Sequence, residues 1–205
     1  MSETQNTTPP NDLVYLTDRE YFKRQRPEQL VRKIPDIWSH SSVLYVGART
    51  DRMDFGICFQ MAGYDIDVLE VFGPNVEYLK QIQWIKKVIQ GDVRHAPMIV
   101  DRDYDVVFWW HGPEHIEKVD LERTLEGLKR ITKKIVVCGS PWGIYEQGPL
   151  YDNPWEIHRS TLYPSDFESL EFKTSTLGIQ DLPKSNILSW WRREGIVNKT
   201  LQVIR

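Results

Sequence analysis

Residues 42–51, which read SVLYVGARTD, decide how the rest of the chain is arranged. The apolar run 42–46 is typical of a buried parallel strand, and Gly47 ends it where the chain must reverse direction. Residues 53–61 follow with the pattern of a helix. A strand, a tight turn and a helix in this order bring helix N–H groups to the end of the strand, where open α/β sheets bind ligands. Because one glycine is a weak motif, a buried strand and turn without a ligand is the alternative.

The length and composition of the chain fit one folded domain. Of its 205 residues, 40% are hydrophobic and 27% are charged, which is enough to form a core. The formal net charge of −3 gives no general attraction to nucleic acid or to an anionic membrane. No apolar run approaches the ~18 residues of a membrane-spanning helix, and the N-terminal residues lack the apolar segment of a signal peptide. We therefore expect a cytoplasmic protein that binds neither nucleic acid nor membrane.

The N-terminal part of the chain differs from the remainder. Residues 1–12 are polar, contain two adjacent prolines and are predicted to be disordered. Residues 13–40 are predicted to form a helical arm, which Pro27 divides into two short helices. This arm either covers a ligand or packs against the sheet. Residues 41–205 make up the predicted α/β domain.

Apolar segments alternate with helical segments after residue 41. The predicted strands are 42–46, 66–71, 88–90, 105–110 and 134–139, and the helical segments include 53–61, 76–84 and 116–131. This alternation predicts a doubly wound, mostly parallel sheet with helices on both faces and right-handed crossovers. Two further strands, 172–177 and 187–191, are predicted to form an antiparallel hairpin that closes the sheet.

A long segment without periodicity, residues 140–160, separates the fifth strand from the hairpin. Long loops of this kind are functional or disordered, and the aromatic residues of this loop argue against disorder. A pocket lined by aromatic side chains and a few polar groups suits a small or planar substrate. We therefore expect a lid over a ligand, with a second small core as the alternative. The predicted substrate contacts are Trp142, Tyr145, His158 and Arg159.

The order of these elements resembles that of the class I S-adenosylmethionine-dependent methyltransferases. Residues 43–47, VLYVG, lie where that family has its first-strand motif, and Glu70 matches the acid at the end of its second strand. Residues 91–93, GDV, match the element beside the adenine of the cofactor. Residues 111–116, HGPEHI, and 140–143, SPWG, are similar to the segments that follow strands four and five.

The resemblance covers residues 43–193 and implies a Rossmann-like fold with a seven-stranded sheet whose last strand is antiparallel. It also implies S-adenosylmethionine as the cofactor and methyl transfer as the activity. Glu70 is expected to bind the ribose hydroxyls, and Asp92 is expected to lie beside the adenine. The complete set of expected cofactor contacts is Gly47, Ala48, Arg49, Glu70, Val71, Asp92, Val93 and Trp110.

The glycine motif of this chain departs from the family pattern. Tyr45 stands where the family usually has an acid, and Arg49 and Asp51 stand where it has its second and third glycines. A dinucleotide site needs such glycines, because the backbone must approach a pyrophosphate. S-adenosylmethionine has no phosphate, and its cationic groups suit nearby acids, while Arg49 is predicted to pair with its carboxylate. The residues therefore favour S-adenosylmethionine over NAD.

His111 is the candidate general base, because a neutral imidazole accepts a proton near pH 7. For His115 a structural role beside the following helix is favoured. The two histidines stand four residues apart, as metal-binding pairs on helices do, but Gly112 and Pro113 argue against a helix there, so no metal site is predicted.

Two classes of function remain open at this point. The first is a methyltransferase that transfers a methyl group in line to a small molecule. The second is a non-catalytic protein of the same fold that serves as a binding or scaffold subunit. The missing glycines favour the second class, whereas Glu70, Asp92 and the aromatic loop favour the first. The sequence gives no indication of the oligomeric state.

Overall fold

The computed structural model describes residues 27–48, 54–177 and 186–194. The predictions for 1–12, for the first helix of the arm, for Arg49 and for Asp51 lie outside the described residues. The strands are β1 (Ser42–Val46), β2 (Asp65–Glu70), β3 (Ile85–Gln90), β4 (Tyr104–Trp110), β5 (Thr132–Pro141), β6 (Lys173–Leu177) and β7 (Asn186–Arg192). The helices are α1 (27–33), α2 (Asp54–Met61), α3 (Gly73–Leu79), α4 (Ala96–Ile99), α5 (Leu121–Arg130) and α6 (Pro164–Glu168). Short 3₁₀ turns span Val93–His95, Pro113–His115, Lys118–Asp120 and Pro154–Glu156.

The strands of the described residues form one seven-stranded sheet in the order β3-β2-β1-β4-β5-β7-β6. Neighbouring strands from β3 to β5 are parallel, whereas β7 pairs antiparallel with both β5 and β6. Six strands therefore run in one direction and β7 runs in the other. The predicted parallel sheet with an antiparallel C-terminal hairpin is confirmed.

Both faces of the sheet are covered, which explains the unbroken apolar runs of the central strands. Along β4, Phe108 and Trp110 point into one core, while Val107 and Trp109 point into the other. The first core includes α1 and α2, with the rings of Phe55 and Trp110 5.1 Å apart. The second core is formed by α5 and α6. Helices therefore lie on both faces, as predicted. Within the described residues, none of the helices combines the length and apolarity needed to cross a membrane.

Several element boundaries differ from the predicted ones. The helix predicted to start at residue 116 begins at Leu121, because Ile116 and Glu117 are extended between two 3₁₀ turns. The strand predicted at 88–90 starts three residues earlier, at Ile85. Two lysines interrupt the apolar pattern at the start of this strand, so the sequence does not indicate its first residues. Charged residues of this kind are typical of an edge strand such as β3.

Candidate active site

A crevice lies at the carboxyl ends of β1, β2, β3 and β4, beneath the loop that follows β5. The carboxyl ends of parallel strands meet at one edge of a sheet, so residues that are distant in sequence converge there. The crevice brings together six of the predicted site residues, namely Gly47, Glu70, Val71, Asp92, Val93 and His111.

Gly47 forms the turn at the end of β1. Its φ of +70° lies in the left-handed region that side chains disfavour, and its N–H donates to the carbonyl of Leu69 at 2.9 Å. Among the described residues, no atom lies within 4 Å of the position that a Cβ would take. The neighbouring Ala48 is fully buried in the first core and is not among the lining residues. The turn therefore presents the backbone of Gly47 to the crevice.

Glu70 ends β2 with a buried carboxyl group, only 5% of the residue being exposed. One oxygen, Oε1, accepts a hydrogen bond from the Phe72 N–H at 2.8 Å. Burial raises the pKa of Glu70 to about 7, against the lowering effect of this hydrogen bond, and the charge of Glu156 raises it further. An ionised carboxylate has about four acceptor positions, so Glu70 can still accept hydrogen bonds from the hydroxyls of a ligand.

Asp92 follows β3 and is tied to a cation. Its carboxylate accepts from the Arg94 backbone N–H at 2.9 Å and from the Arg94 guanidinium, which also reaches Asp120 at 3.1 Å. Burial opposes ionisation, but the hydrogen bonds from Arg94 prevail and lower the pKa of Asp92. Asp92 is thus held ionised in an ion pair with Arg94 at the crevice wall, beside Val93.

Trp109, and not the predicted Trp110, lines the crevice. Successive side chains of β4 point to opposite faces, and Trp110 points into the first core. There it packs so closely on Gly139 that a Cβ on this glycine would lie 2.1 Å from the indole ring. The indole ring of Trp109 lies closer still to the position that a Cβ on Gly112, which follows β4, would take. The structure thus places the neighbour of the predicted Trp110 at the crevice, because the sequence does not tell which face of the strand meets it.

His111 follows β4 with the strained φ of +50°. Its N–H donates to the Gly139 carbonyl at 2.8 Å, and its Nδ1 lies 3.1 Å from Oε1 of Glu114. Burial opposes the ionisation of Glu114, but the hydrogen bond and charge of His111 lower the pKa of this carboxyl group. With Glu114 ionised, Nδ1–H of His111 is the donor, and Nε2 is the ring nitrogen left to accept a proton when the ring is neutral.

The loop after β5 crosses the crevice, but through other residues than those predicted. Asn153, Trp155 and Glu156 line the crevice, whereas Trp142, Tyr145, His158 and Arg159 are not among the lining residues. Asn153 accepts from the Trp155 N–H at 3.0 Å and so starts the 3₁₀ turn that carries Trp155. An asparagine before a proline is a turn signal that could have pointed to this segment.

The predicted substrate residues lie beside the crevice. His158 Nδ1 is 2.6 Å from the Tyr145 carbonyl, and the His158 ring lies 4.9 Å from that of His115. The Arg159 N–H donates to the Glu114 carbonyl at 2.8 Å, which fixes this part of the loop to the turn after β4. Trp142 and Tyr145 are 42% and 39% exposed. Glu114, His115 and His158 offer ligand atoms that all lie within 4.8 Å of one another.

Comparison with solved structures identifies the fold. The chain is similar to magnesium protoporphyrin IX methyltransferase from Synechocystis with bound S-adenosylmethionine, with 10% identity over 90% of this chain and 86% of that chain and a TM-score of 0.61. It is also similar to the N-methyltransferase NodS from Bradyrhizobium japonicum, with 13% identity over 86% of this chain and 99% of that chain and a TM-score of 0.60. A methyltransferase from Archaeoglobus fulgidus shares 16% identity over 89% of this chain and 100% of that chain, with a TM-score of 0.57.

No protein-family model matches the chain, and the search of curated proteins found no match. At the identities of the structural matches, the likeness concerns the fold. The chain has the Rossmann-like fold of the class I S-adenosylmethionine-dependent methyltransferases.

Proposed function

We propose that this chain is an S-adenosylmethionine-dependent methyltransferase whose cofactor occupies the crevice at the carboxyl ends of β1 to β4. The observation that carries the proposal is the buried carboxyl group of Glu70, which opens into the crevice at the end of β2. A buried acid is unfavourable for folding, and the hydrogen bond from Phe72 to Oε1 leaves acceptor positions of Glu70 open, so its place at a ligand edge points to a ligand with hydroxyl donors. The fold supports the cofactor, since structural neighbours were solved with S-adenosylmethionine or its demethylated product bound.

The residues of the crevice suit the parts of this cofactor. Glu70 accepts hydrogen bonds from the ribose hydroxyls, and Asp92 with Val93 lies beside the adenine. The turn at Gly47 faces the methionine part, since none of the described residues fills the space beside this glycine. Arg49, which lies outside the described residues, remains the predicted partner of the methionine carboxylate. The acids Glu70 and Asp92 at the crevice also suit a cofactor that carries no phosphate.

The chemistry proposed is direct methyl transfer to a small molecule. When bound, S-adenosylmethionine supplies an electrophilic methyl group that an acceptor takes by in-line displacement. The protein's contribution is positioning, which alone supplies much of the rate of such reactions. His111, oriented by Glu114, is placed to take a proton at Nε2 when the acceptor atom carries one. Trp155 and Asn153 cover the crevice and restrict it to small acceptors.

Calorimetric titration with S-adenosylmethionine and S-adenosylhomocysteine tests this proposal on the wild type and on Glu70→Gln. We expect both ligands to bind the wild type, and we expect Glu70→Gln to weaken binding ~10-fold or more, since a hydrogen bond to a charged group is worth roughly 1.5–3 kcal/mol. The matched control is Glu77→Gln on α3, whose side chain is 70% exposed. It should bind as the wild type does.

Two results would contradict the proposal. If the wild type binds neither ligand, the non-catalytic alternative replaces it. If Glu70→Gln binds as tightly as Glu77→Gln, the cofactor does not use this crevice as described. A separate variant, His111→Gln, should keep the affinity for S-adenosylhomocysteine and lose turnover, which distinguishes a base from a binding residue.

A further inference from the structure

We propose that Glu114, His115 and His158 bind one divalent first-row transition metal ion, of the class of Zn²⁺ or Fe²⁺, at the wall of the crevice. The sequence predicts no metal site. Its spacing pairs His115 with His111, and Gly112 and Pro113 argue against the helix that would bring these two side chains together. The structure instead pairs His115 with His158, which is 43 positions away along the chain. Two imidazoles and a carboxylate are ligands that these ions favour.

The distances suit a common ion. One ligand atom from each of the three residues lies within 4.8 Å of the other two. Atoms bound to one ion at about 2.0–2.2 Å lie up to ~4 Å apart, so side-chain shifts of under ~1 Å close the site. Glu114 and His115 belong to the 3₁₀ turn after β4, while His158 comes from the loop. The Glu114 carbonyl accepts from the N–H groups of Arg159 and Ser160 at 2.8 and 3.2 Å, which holds the loop histidine in register.

The carboxylate of Glu114 gives an independent indication of a ligand. The residue is 2% exposed, and one oxygen, Oε1, faces Nδ1 of His111 at 3.1 Å. Its other oxygen, Oε2, is buried and has no hydrogen-bond partner among the described residues. Such an orphaned carboxylate oxygen is unfavourable in a protein interior, and coordination to a cation is one of the few arrangements that satisfies it. His111 would then be an outer-shell residue that orients the ligand.

Backbone carbonyls fix which nitrogen of each histidine is available. Nδ1 of His158 lies 2.6 Å from the Tyr145 carbonyl, and Nδ1 of His115 lies 3.3 Å from the Ile157 carbonyl. A carbonyl only accepts, so Nδ1 carries the proton in both rings and Nε2 carries the lone pair. A metal-binding histidine commonly donates its other ring N–H to a carbonyl in this way. Both rings are therefore in the tautomer that metal coordination requires.

The position of the site suggests what the ion does. His115 also lines the crevice, so the ion would lie at its wall and link the loop to the end of β4. If the proposed methyl transfer is correct, an open coordination position would take an oxygen atom of the acceptor. This second role rests on the proposed function, whereas metal binding does not.

Cobalt is a suitable probe because bound Co²⁺ absorbs visible light. We would titrate CoCl₂ into the full chain without a polyhistidine tag, after treatment with a chelator and without cofactor or acceptor. We expect saturation at one ion per chain and competition by Zn²⁺. His158→Gln and Glu114→Gln should each weaken Co²⁺ binding by ~100-fold or more, since even outer-shell changes lose 10–100-fold. His95→Gln is the matched control, because His95 is exposed on another turn.

Titration of S-adenosylhomocysteine into each variant shows whether the cofactor crevice is intact and tests the proposed function separately. A Co²⁺-binding wild type without cofactor affinity would support the metal site and overturn the methyltransferase proposal. The metal site is overturned if the wild type takes up no stoichiometric Co²⁺. It is also overturned if His158→Gln, with a melting transition like that of His95→Gln, binds Co²⁺ as the control does.

Discussion

Replacing Glu70 by glutamine should stabilise the protein at alkaline pH and have no such effect at acidic pH. Burial, against the opposing hydrogen bond from Phe72, raises the pKa of Glu70 from 4.5 to about 7 in the folded state. The folded state therefore disfavours the ionised form. The contribution of Glu70 to stability is fully present below pH 4.5 and is lost as the pH rises through about 7.

The magnitude follows from the size of this shift. A change from 4.5 to about 7, at about 1.4 kcal/mol per pH unit, lowers the free energy of unfolding by about 3 kcal/mol above pH 7. Glutamine has nearly the same shape and does not titrate, and its amide oxygen can accept the same Phe72 N–H. The free energy of unfolding of Glu70→Gln should thus exceed that of the wild type by up to about 3 kcal/mol at pH 8. Near pH 4.5 the two values should be the same.

Urea denaturation of the cofactor-free protein at pH 5 and pH 8 measures this difference. Glu77→Gln, the exposed control, should stay within ~0.5 kcal/mol of the wild type at both pH values. Added S-adenosylhomocysteine should stabilise the wild type more than Glu70→Gln, because binding satisfies the carboxylate. A difference between wild type and Glu70→Gln that is the same at pH 5 and pH 8 would refute the reasoning, since Glu70 would then not be ionising in a buried position.

Three further predictions concern the turn, the strand and the loop around the crevice. Gly47→Ala should lower the free energy of unfolding by about 1–2 kcal/mol in urea denaturation, because φ is positive at this residue. The control Gly148→Ala, at a glycine without positive φ, should have nearly the same free energy of unfolding as the wild type. Trp109→Phe should weaken S-adenosylhomocysteine binding in calorimetry, and Trp110→Phe should lower only stability; the reverse pattern would contradict the assigned faces of β4. Limited proteolysis should cut the loop 140–160 readily in the free protein and slowly when product and acceptor are bound; equal resistance in both states would leave the loop a fixed cover.

The fold could be predicted from the sequence because the central strands bury both faces. Burial leaves residues 43–46 of β1 and 106–110 of β4 as unbroken apolar runs, and such runs alternate with helical periodicity. At the sheet edge the signal weakens, since Lys86 and Lys87 of β3 face solvent. Helix α3 ends at Leu79, whereas the sequence predicts a helix to residue 84. The apolar spacing continues past Leu79 and does not indicate this earlier end.

The sequence indicates which residues line the crevice where these residues follow a strand, and it indicates this less well in the loop and within a strand. Glu70, Asp92 and His111 each lie at or just after a strand end, and topology alone brings those ends together. The choice between Trp109 and Trp110 required the face of β4, which is set by packing across the sheet. In the loop no periodicity tells which side chain points inward, so Tyr145 was predicted at the crevice where Trp155 lies.

The nearness of His158 to His115 was also beyond sequence reasoning. The contact depends on how the loop folds back onto the turn after β4, through backbone hydrogen bonds to the Glu114 carbonyl. Sequence spacing alone paired His115 with His111, which faces the carboxylate of Glu114.

A crystal structure of the protein with S-adenosylhomocysteine tests the central claim most directly. We predict that the nucleoside occupies the crevice, with both ribose hydroxyls within hydrogen-bond distance of the Glu70 carboxylate and the adenine beside Val93. The homocysteine carboxylate should face the turn at Gly47, two residues before Arg49 in the sequence. A ligand bound elsewhere on the chain, or a ribose that makes no contact with Glu70, would contradict the account.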